Sequence, residues 1–357
     1  MNRIRSLDGL RGFAALYVVL GHYGNSAGIP FRFSFFRWFS FASGSSVPLF
    51  FCLSGFLIHQ IYQGHKLKEQ FFHTNFYLRR LFRILPLWWA ILICAKLIED
   101  QSYPTFFYYF TFGFGIFPKF YWGIMAIGWS LFVEEVFYLL FPFVSPFLTT
   151  WTNAIKWFLA AALLSSAWLT WASKLGVPTD YSFISLFPLA KFQFFFLGIA
   201  YSIYRGVRNQ EPSEGKWKIT FLDILALLTF FSAPLGLPSM PEELSVALIA
   251  IATLEPGTFL GRIFRFPLLC WWGRHCYFIY LSGNLILWNL NSVHGSVIDF
   301  FHLNGTTGEI NILIRMALFL AVVSPLAAFS SFILEKPLQK IGLRLIKRRE
   351  AAFQAKN

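Results

Sequence analysis

The sequence predicts an all-α fold, a polytopic membrane bundle of about ten transmembrane helices with both termini in the cytoplasm. The first observation is the composition. Of the 357 residues 56% are hydrophobic and only 13% are charged, and the mean hydropathy is +0.56. These values lie far outside the range of soluble globular proteins. The second is a series of apolar runs of about 17–25 residues, the length that crosses a bilayer as a helix. The third is the placement of the basic residues in short blocks between these runs, the pattern that sets membrane topology.

The apolar runs predict ten spans. They lie at roughly 7–24, 44–62, 80–98, 128–147, 154–172, 187–204, 218–236, 243–260, 269–290 and 309–334. A further apolar stretch, 103–124, is predicted to be an outer loop or a re-entrant piece. If it crossed the membrane, every later basic loop would change sides, against the positive-inside bias. Gly113, Gly115 and Pro118 also argue against a regular helix there.

The predicted organisation is one transmembrane domain, residues 1–338, followed by a basic cytoplasmic tail, residues 339–357. The net charge of +13 does not indicate nucleic acid, because no basic segment has the length or the interleaved aromatics of a nucleic-acid module. The first apolar segment has no cleavage site typical of a signal peptide. The cysteines have no metal-type spacing, so we predict no metal site and four small buried side chains, Cys52, Cys94, Cys270 and Cys276.

The first span carries three ionisable residues, Asp8, Arg11 and His22. At about 100° per residue, the steps from Arg11 to His22 make roughly three full turns, so both side chains share one face about 16 Å apart. Asp8 can pair with Arg11 as an i,i+3 neighbour. Ionisable groups at membrane depth indicate a functional site by default. The alternative is that Arg11 marks the inner end of the helix and His22 contributes to a helix contact.

The second and third spans hold a serine and three arginines of interest. Ser54 lies in a Ser-Gly pair that is typical of close helix packing, and His59 is predicted to be solvated at the inner end of the same span. Arg79, Arg80 and Arg83 stand at helical spacing and are predicted to form a cationic fork facing the cytoplasm. Guanidinium groups bind phosphates bidentately, so the fork suits the phosphates of coenzyme A. A topology signal alone is the alternative.

Two further carboxylate positions are notable. Glu134 and Glu135 are adjacent in the outer half of the fourth span, and adjacent helical residues point about 100° apart, so only one readily faces a given cavity. Glu335 precedes Pro337 at the end of the last span. We expect it to pair with an arginine, Arg80 or Arg274.

Several motifs in order resemble the membrane acyltransferase-3 family. They are RSLDGLRGFAALYVVLGHY (5–23), FFCLSGFLI (50–58), RRLFRILPLWW (79–89), WSLFVEEVFY (129–138) and FILEKPL (332–338). The resemblance covers almost the whole chain. The Arg-x10-His pattern of the family falls on Arg11 and His22. One departure is Gly283, where members often carry histidine.

The resemblance implies roles for the remaining matched residues. The Arg-x-x-Arg pattern falls on Arg80 and Arg83, which with Arg79 would hold coenzyme A. The family glutamate corresponds to Glu134, with Glu135 as the other candidate, and would orient or stabilise the imidazole. His22 would be a general base or a transient acyl carrier, and these alternatives stay open. Arg11 would fix Asp8 or polarise the thioester carbonyl.

The family resemblance also implies an activity. The expected enzyme is a membrane O-acyltransferase that moves acetyl from cytoplasmic acetyl-CoA to a hydroxyl of an envelope polysaccharide or lipopolysaccharide O-antigen sugar, free or lipid-linked. The expected location is the bacterial cytoplasmic (inner) membrane, among membrane lipids. The alternatives are transfer of succinyl or another acyl group, a non-enzymatic transporter or a scaffold. A His-x4-Asp pair at His294 and Asp299, a spacing found in glycerolipid acyltransferases, is interpreted as chance.

Overall fold

The computed structural model of the protein confirms the all-α prediction. It describes residues 3–26, 38–39, 42–66, 69–98, 102–125, 127–176, 181–207, 218–232, 235, 241–290 and 308–355. Within these ranges every extended regular element is a helix, and the strand-like pairing is one isolated bridge between Lys218 and Thr258.

Fifteen α-helices are formed by the described residues. In chain order they are α1 (Arg5–Ser26), α2 (Ser46–Lys66), α3 (Phe72–Ile98), α4 (Tyr103–Phe110), α5 (Gly128–Val144), α6 (Trp151–Trp171), α7 (Tyr181–Leu186), α8 (Phe192–Val207), α9 (Phe221–Phe230), α10 (Glu242–Leu254), α11 (Phe259–Ile263), α12 (Pro267–Arg274), α13 (Cys276–Asn289), α14 (Gly308–Ser330) and α15 (Lys336–Gln354). A π-helical segment, Ser331–Glu335, joins α14 to α15.

Among the described residues, five helical stretches are long and apolar enough to cross a membrane. They are Ser43–Lys66, Phe72–Ile98, Gly128–Phe147, Trp151–Trp171 and Glu309–Gln354. Two shorter apolar helices, Phe221–Phe230 and Cys276–Leu287, lie within other predicted spans. The helices therefore indicate a membrane protein, whereas ten crossings and cytoplasmic termini stay predictions.

The stretch 103–124 does not form a membrane-spanning helix. Helix α4 has eight residues, about 12 Å in length, and two short 3-10 turns follow it. Phe112, between α4 and the first of these turns, adopts a left-handed backbone with φ of 62°. The stretch packs against α3, because Trp88 Nε1 donates to the Tyr109 carbonyl at 3.2 Å. Tyr109 in turn donates its hydroxyl to the Tyr121 carbonyl at 3.0 Å, which closes the segment on itself.

The chain divides into two compact units. The first comprises Met1, Ser54–Asn209 and Phe329–Asn357, and the second comprises Asn2–Leu53 and Gln210–Ala328. The core of the second unit lies where α1, α13 and α14 meet. Its fully buried members include Ala15, Ile279 and Phe319.

In the second unit, glycines allow α1 to approach the backbone before and within α12. A Cβ atom added at Gly273 would lie 1.7 Å from the Asp8 carbonyl oxygen, and one at Gly9 would lie 1.7 Å from the Phe264 carbonyl oxygen. Both obstructing atoms are backbone and cannot rotate away. Small residues that let helix backbones touch are typical of membrane proteins. This contact fixes the start of α1, the part that carries Asp8 and Arg11.

Replacing Gly273 by valine is expected to destabilise the protein. The added side chain must push α1 and α12 apart, and overpacking of this kind costs roughly 1–3 kcal/mol or more. The measurement is the thermal transition of the detergent-solubilised protein. The matched control is Gly64→Val on α2, because a Cβ atom at Gly64 meets nothing within 4 Å. Equal transition temperatures for the two variants would contradict the close approach.

In the first unit, the C-terminal helix docks on the start of α3. Glu350 of α15 accepts hydrogen bonds from the backbone N–H of Phe71 at 3.1 Å and from Asn75 Nδ2 at 2.7 Å. A carboxylate at the N-terminal end of a helix satisfies unpaired N–H groups and complements the helix dipole. Residues 339–354 of the predicted tail are therefore an ordered helix that packs against α3.

Two predictions about single side chains in the first unit are wrong. His59 is buried rather than solvated, with Nδ1 3.0 Å from Ser202 Oγ on α8, because that face of α2 packs on α8. Cys94 is exposed rather than buried, since it lies beside the exposed Ile93 on the outer face of α3. Cys52, Cys270 and Cys276, all in the second unit, are buried as predicted.

Candidate functional site

Helix α1 holds the predicted cation and imidazole on one face. It runs without interruption from Arg5 to Ser26, so the eleven steps from Arg11 to His22 leave the two side chains about 20° apart around the axis and about 16 Å apart along it. Both residues are partly exposed, whereas Ala14 and Ala15 between them are fully buried in the second unit. The predicted common face is therefore confirmed as a property of the helix.

Arg3, two residues before α1, is a partner of Asp8 that the sequence did not predict. Arg3 Nε donates to the Asp8 carboxylate, with the Asp8 side chain 15% exposed and the Arg3 side chain 57% exposed. The prediction had paired Asp8 with Arg11. Asp8 is thus held by a flexible, solvated partner at the N-terminal end of the helix, where a carboxylate is also favoured by the helix dipole.

The first unit builds a hydroxyl-rich site around Glu134. Ser54 Oγ on α2 and the Tyr138 hydroxyl on α5 both donate to Glu134 Oε1, and the two hydroxyl oxygens are 3.2 Å apart. Two hydrogen bonds to one carboxylate oxygen fix the orientation of the side chain. We call Ser54, Glu134, Tyr138 and Arg80 the carboxylate cluster.

Arg80 completes the carboxylate cluster from α3. Its guanidinium carbon lies 4.6 Å from the centroid of the Tyr138 ring, and the residue is only 9% exposed. A buried guanidinium on an aromatic face combines cation–π attraction with exclusion of water. The hydroxyl of Tyr77 also donates to the Leu139 carbonyl at 2.9 Å, which joins α3 to α5 near this level. Arg80 and Glu134 therefore belong to one cluster rather than to separate sites.

The three arginines of α3 do not form the predicted exposed fork. Arg79 is hydrogen-bonded to Glu69, which also contacts His65 Nδ1 at 2.9 Å. Arg80 turns to Tyr138 instead. The fork fails because neighbours from different elements separate the side chains.

The sequence predicts that Glu335 pairs with Arg80 or Arg274, but the arginine that acts on Glu335 in the structure is Arg83. Its positive charge acts electrostatically on Glu335, at the end of the π-helical segment. Arg83 is partly exposed. Arg79 and Arg83 are therefore the two arginines of this set that have a charged neighbour and are also partly exposed.

The structure distinguishes the two adjacent glutamates. Glu134 receives the two hydroxyl donors, whereas Glu135 Oε1 is buried and has no hydrogen-bond partner among the described residues. This difference follows from the 100° between adjacent helical positions. The sequence predicts helix packing for Ser54 and does not indicate a role for Tyr138. Tyr138 stands four residues after Glu134, on the same helix face, and this spacing could have identified it.

Other predicted positions have simpler outcomes. Gly283 is buried on α13, and a Cβ atom there would lie 3.1 Å from Val19 Cγ2, so the position where relatives of the family often carry histidine is closed by α1. His294 and Asp299 lie outside the described residues. His22 belongs to the second unit and Glu134 to the first. Their proximity stays a prediction.

A family model and several curated proteins match the sequence. The family model, described as an acyltransferase domain, matches residues 4–334. The peptidoglycan O-acetyltransferase OatA of Listeria monocytogenes is 26% identical over 317 residues, covering 78% of this chain and 48% of that protein. A Bacillus subtilis protein provisionally named a peptidoglycan O-acetyltransferase is 26% identical over 394 residues, covering 97% of this chain and 56% of its own length.

A Staphylococcus aureus protein provisionally named an O-acetyltransferase is 23% identical, covering 97% of this chain and 59% of its own length. The chain thus spans about half the length of the curated relatives it matches. No solved structure matches the chain.

Proposed function

The chain belongs to the membrane acyltransferase-3 family, and from that membership we propose that it is an integral membrane O-acyltransferase acting on a glycan. The apolar helices support the membrane location, and the names of the matched proteins support transfer of an acyl group to a hydroxyl oxygen. The proposed mechanism depends on Arg11 and His22, which lie on one face of α1. The cation suits binding of the acyl donor, and the titratable ring suits transfer of the acyl group.

The proposed donor is cytoplasmic acetyl-CoA, and the proposed acceptor is a hydroxyl of an envelope glycan. The names of the Listeria and Bacillus relatives favour a peptidoglycan-type acceptor over a lipopolysaccharide O-antigen. The proposal keeps ten spans, cytoplasmic termini and the bacterial cytoplasmic membrane, since the positive-inside distribution of Lys and Arg supports them. Donor and acceptor then lie on opposite sides of the bilayer, so the acetyl group must cross it.

We assign the chemical step to His22. As a general base, its unprotonated ring nitrogen would take the proton of the acceptor hydroxyl while the hydroxyl oxygen attacks the acyl carbonyl. The carbon–sulfur bond then breaks, and coenzyme A leaves with the proton as the free thiol. In the alternative, the ring nitrogen attacks the thioester first and carries the acetyl group to the acceptor. Arg11, with Asp8 beside it, lies about 16 Å along the helix from His22, so it would bind the carbonyl oxygen of the thioester as the donor enters rather than stabilise the charge that develops in the step at His22.

The carboxylate cluster is proposed to support that step electrostatically. Glu134 would stabilise a protonated imidazole and orient it, and Ser54 and Tyr138 hold its carboxylate in place. Arg80 lies over the Tyr138 ring, and its positive charge acts on Tyr138 and on Glu135. A carboxylate that the two hydroxyls hold in one orientation can perform the proposed role.

The proposed coenzyme A phosphate ligands are Arg79, Arg80 and Arg83. Arg79 and Arg83 are partly exposed and can reach a phosphate in solution, whereas Arg80 is buried and would meet only the part of the donor that enters the protein. Arginine forms paired, charge-assisted hydrogen bonds with phosphate oxygens. The partly exposed pair therefore supplies the first contacts of the donor.

Replacing Arg83 by alanine is expected to weaken acetyl-CoA binding about tenfold, since a hydrogen bond to a charged group contributes roughly 1.5–3 kcal/mol. The measurement is calorimetric titration of the detergent-solubilised protein with acetyl-CoA. Lys156→Ala on α6 is the control, because it removes an exposed positive charge elsewhere in the first unit. Unchanged affinity in the Arg83 variant would remove this residue from the donor site.

The activity is tested by mass spectrometry of envelope glycans from cells with and without the gene. The expected result is a fragment whose mass changes by one acetyl group when the gene is present. The fragment identifies the sugar, and the mass change identifies the acyl group. Identical glycan spectra from the two strains would refute the proposed function.

A further inference from the structure

The second unit contains a cavity that the proposed reaction does not use. Its volume is about 250 Å³. Its walls come from α1, the start of α2, α9, α10 and α11, with Phe39 between the first two helices. The lining residues are Phe13, Tyr17, Phe39, Ser45, Ser46, Leu49, Leu227, Phe230, Phe231, Ser245, Val246, Ile249, Leu260 and Phe264. All of them belong to one compact unit, so the cavity is a feature of that unit alone.

The chemistry of the walls is apolar. Six lining residues are aromatic, five are aliphatic, three are serines, and none of the described lining residues is charged. The phenol of Tyr17 is already engaged, because its hydroxyl donates to the Phe39 carbonyl at 2.6 Å. The rings of Tyr17 and Phe39 are also packed together, with centroids 4.6 Å apart. A ligand here would therefore meet hydrocarbon surface and would find little to bind a phosphate, a sugar or a carboxylate.

The cavity lies on the reverse side of α1 from the residues proposed for acyl transfer. Phe13 and Tyr17 follow Arg11 by two and six residues, which places them roughly 200° and 240° around the helix from it. Arg11 and His22 lie within about 20° of each other on the other face. The two faces of one helix thus offer different chemistry, one cationic and titratable and the other purely apolar.

The cavity is partly open to its surroundings, so it is a pocket that a ligand can enter rather than an enclosed packing defect. Protein interiors are close-packed, and voids much larger than a water molecule are few. An engineered apolar cavity of about 150 Å³ stays dry and binds benzene, so a larger one has room for a longer hydrocarbon. Side chains that line an empty cavity lose the dispersion contacts that they would make with a ligand. The bilayer supplies hydrocarbon chains at high concentration.

We propose that this cavity binds a single hydrocarbon chain of a membrane lipid. The chain packs against Phe13, Leu49, Val246 and Ile249, beside the contacting rings of Tyr17 and Phe230. Two kinds of lipid offer this chemistry, a bilayer phospholipid and a polyprenyl phosphate of the type that carries glycans. The proposal concerns binding only, so it stands or falls independently of the acyl-transfer activity.

The test is photo-crosslinking in vesicles of phosphatidylethanolamine and phosphatidylglycerol, in which a small fraction of the phosphatidylglycerol carries a diazirine near the end of one acyl chain. Labelled peptides are quantified by mass spectrometry. The readout is the label on the cavity-lining residues of α9 and α10, Leu227, Phe230, Ser245 and Val246, divided by the label on α6, where Leu163 is 73% exposed and reports general lipid contact. The wild-type protein is expected to carry label on cavity-lining residues of α9 and α10.

Ile249→Trp is expected to lower this ratio about tenfold, because the indole occupies the space of the lipid chain. Leu244→Trp is the matched control, since Leu244 is exposed on the same helix and does not line the cavity. Should the Ile249 variant fail to elute as a folded species, Ser46→Leu fills the cavity from α2 and is expected to lower the ratio too. An unchanged ratio in a folded filling variant, or no label on the lining residues of the wild type, would overturn the proposal.

Competition then identifies the source of the chain. Polyprenyl phosphate added to the same vesicles is expected to remove the label at a lower concentration than unlabelled phosphatidylglycerol if the native ligand is a polyprenyl lipid. Equal competition on a molar basis assigns the cavity to a bilayer phospholipid. Failure of both lipids to compete would show that the labelling does not report a binding site and would reject the proposal.

Discussion

Replacing His22 by alanine is expected to lower acyl transfer by about three orders of magnitude, because a positioned general base contributes roughly 10²–10⁴ to the rate and an acyl carrier at least as much. The substitution removes the one titratable ring on the Arg11 face of α1 among the described residues. The measurement is the amount of ester-linked acetyl on the envelope glycan of cells that express the variant. Membrane levels of the protein must be matched to those of the wild type.

The control for this experiment is His65→Ala. His65 lies near the end of α2 with its side chain 40% exposed and contacts Glu69, away from the carboxylate cluster. It should leave acetylation within a factor of about two, as surface substitutions away from a site usually change little. Wild-type acetylation by the His22 variant would remove that residue from the reaction.

Replacing Glu134 by glutamine is the second substitution for which we expect a large effect, a loss of about a hundredfold in acyl transfer. The amide keeps the shape of the side chain but removes the charge that would stabilise a protonated imidazole, an electrostatic effect of about 3 kcal/mol in comparable sites. Activity is measured with the same glycan assay.

Glu135→Gln is the matched control, since it makes the same chemical change one residue away. Glu135 Oε1 has no hydrogen-bond partner among the described residues, so the neutral amide should cost little there. Acetylation should therefore fall far more in the Glu134 variant than in the Glu135 variant. The reverse order would transfer the proposed role to Glu135, and equal losses would assign both residues to stability alone.

Features that depend on local periodicity were predictable from the sequence. The common face of Arg11 and His22 follows from helix geometry once α1 is recognised, and the structure confirms the continuous helix. The interruption of 103–124 follows from its glycines and proline together with the charge distribution, and the structure confirms that it does not span. These predictions needed no knowledge of tertiary contacts.

Features that depend on contacts between distant segments were not predictable in this way. Ser54 and Glu134 are 80 residues apart, so their hydrogen bond requires the packing of α2 on α5. Sequence spacing indicated a fork of three arginines, but it could not reveal that Glu69 would take Arg79. The burial of Arg80 against Tyr138 was likewise set by the packing of α3 on α5.

Helix length was also only partly predictable. The predicted span 218–236 contains a helix of ten residues, Phe221–Phe230, and the predicted span 269–290 contains two helices separated at His275. Hydropathy reports the apolar character of a stretch but not where its backbone turns. In the first case Asp223 caps the helix start and accepts from the N–H groups of Phe259 and Leu260 on α11. That tertiary contact fixes the start of the helix within the apolar run.

The central claim, that this protein cleaves an acyl thioester in order to acylate a glycan, is tested most directly in sealed membrane vesicles supplied with acetyl-CoA outside and acceptor glycan inside. The account predicts that free coenzyme A thiol appears outside in the same molar amount as acetyl ester appears on the glycan, and that neither appears when the vesicles contain the His22→Ala protein. Passage of labelled acetyl groups with no thiol release would contradict the account, as would thiol release unaffected by the loss of His22.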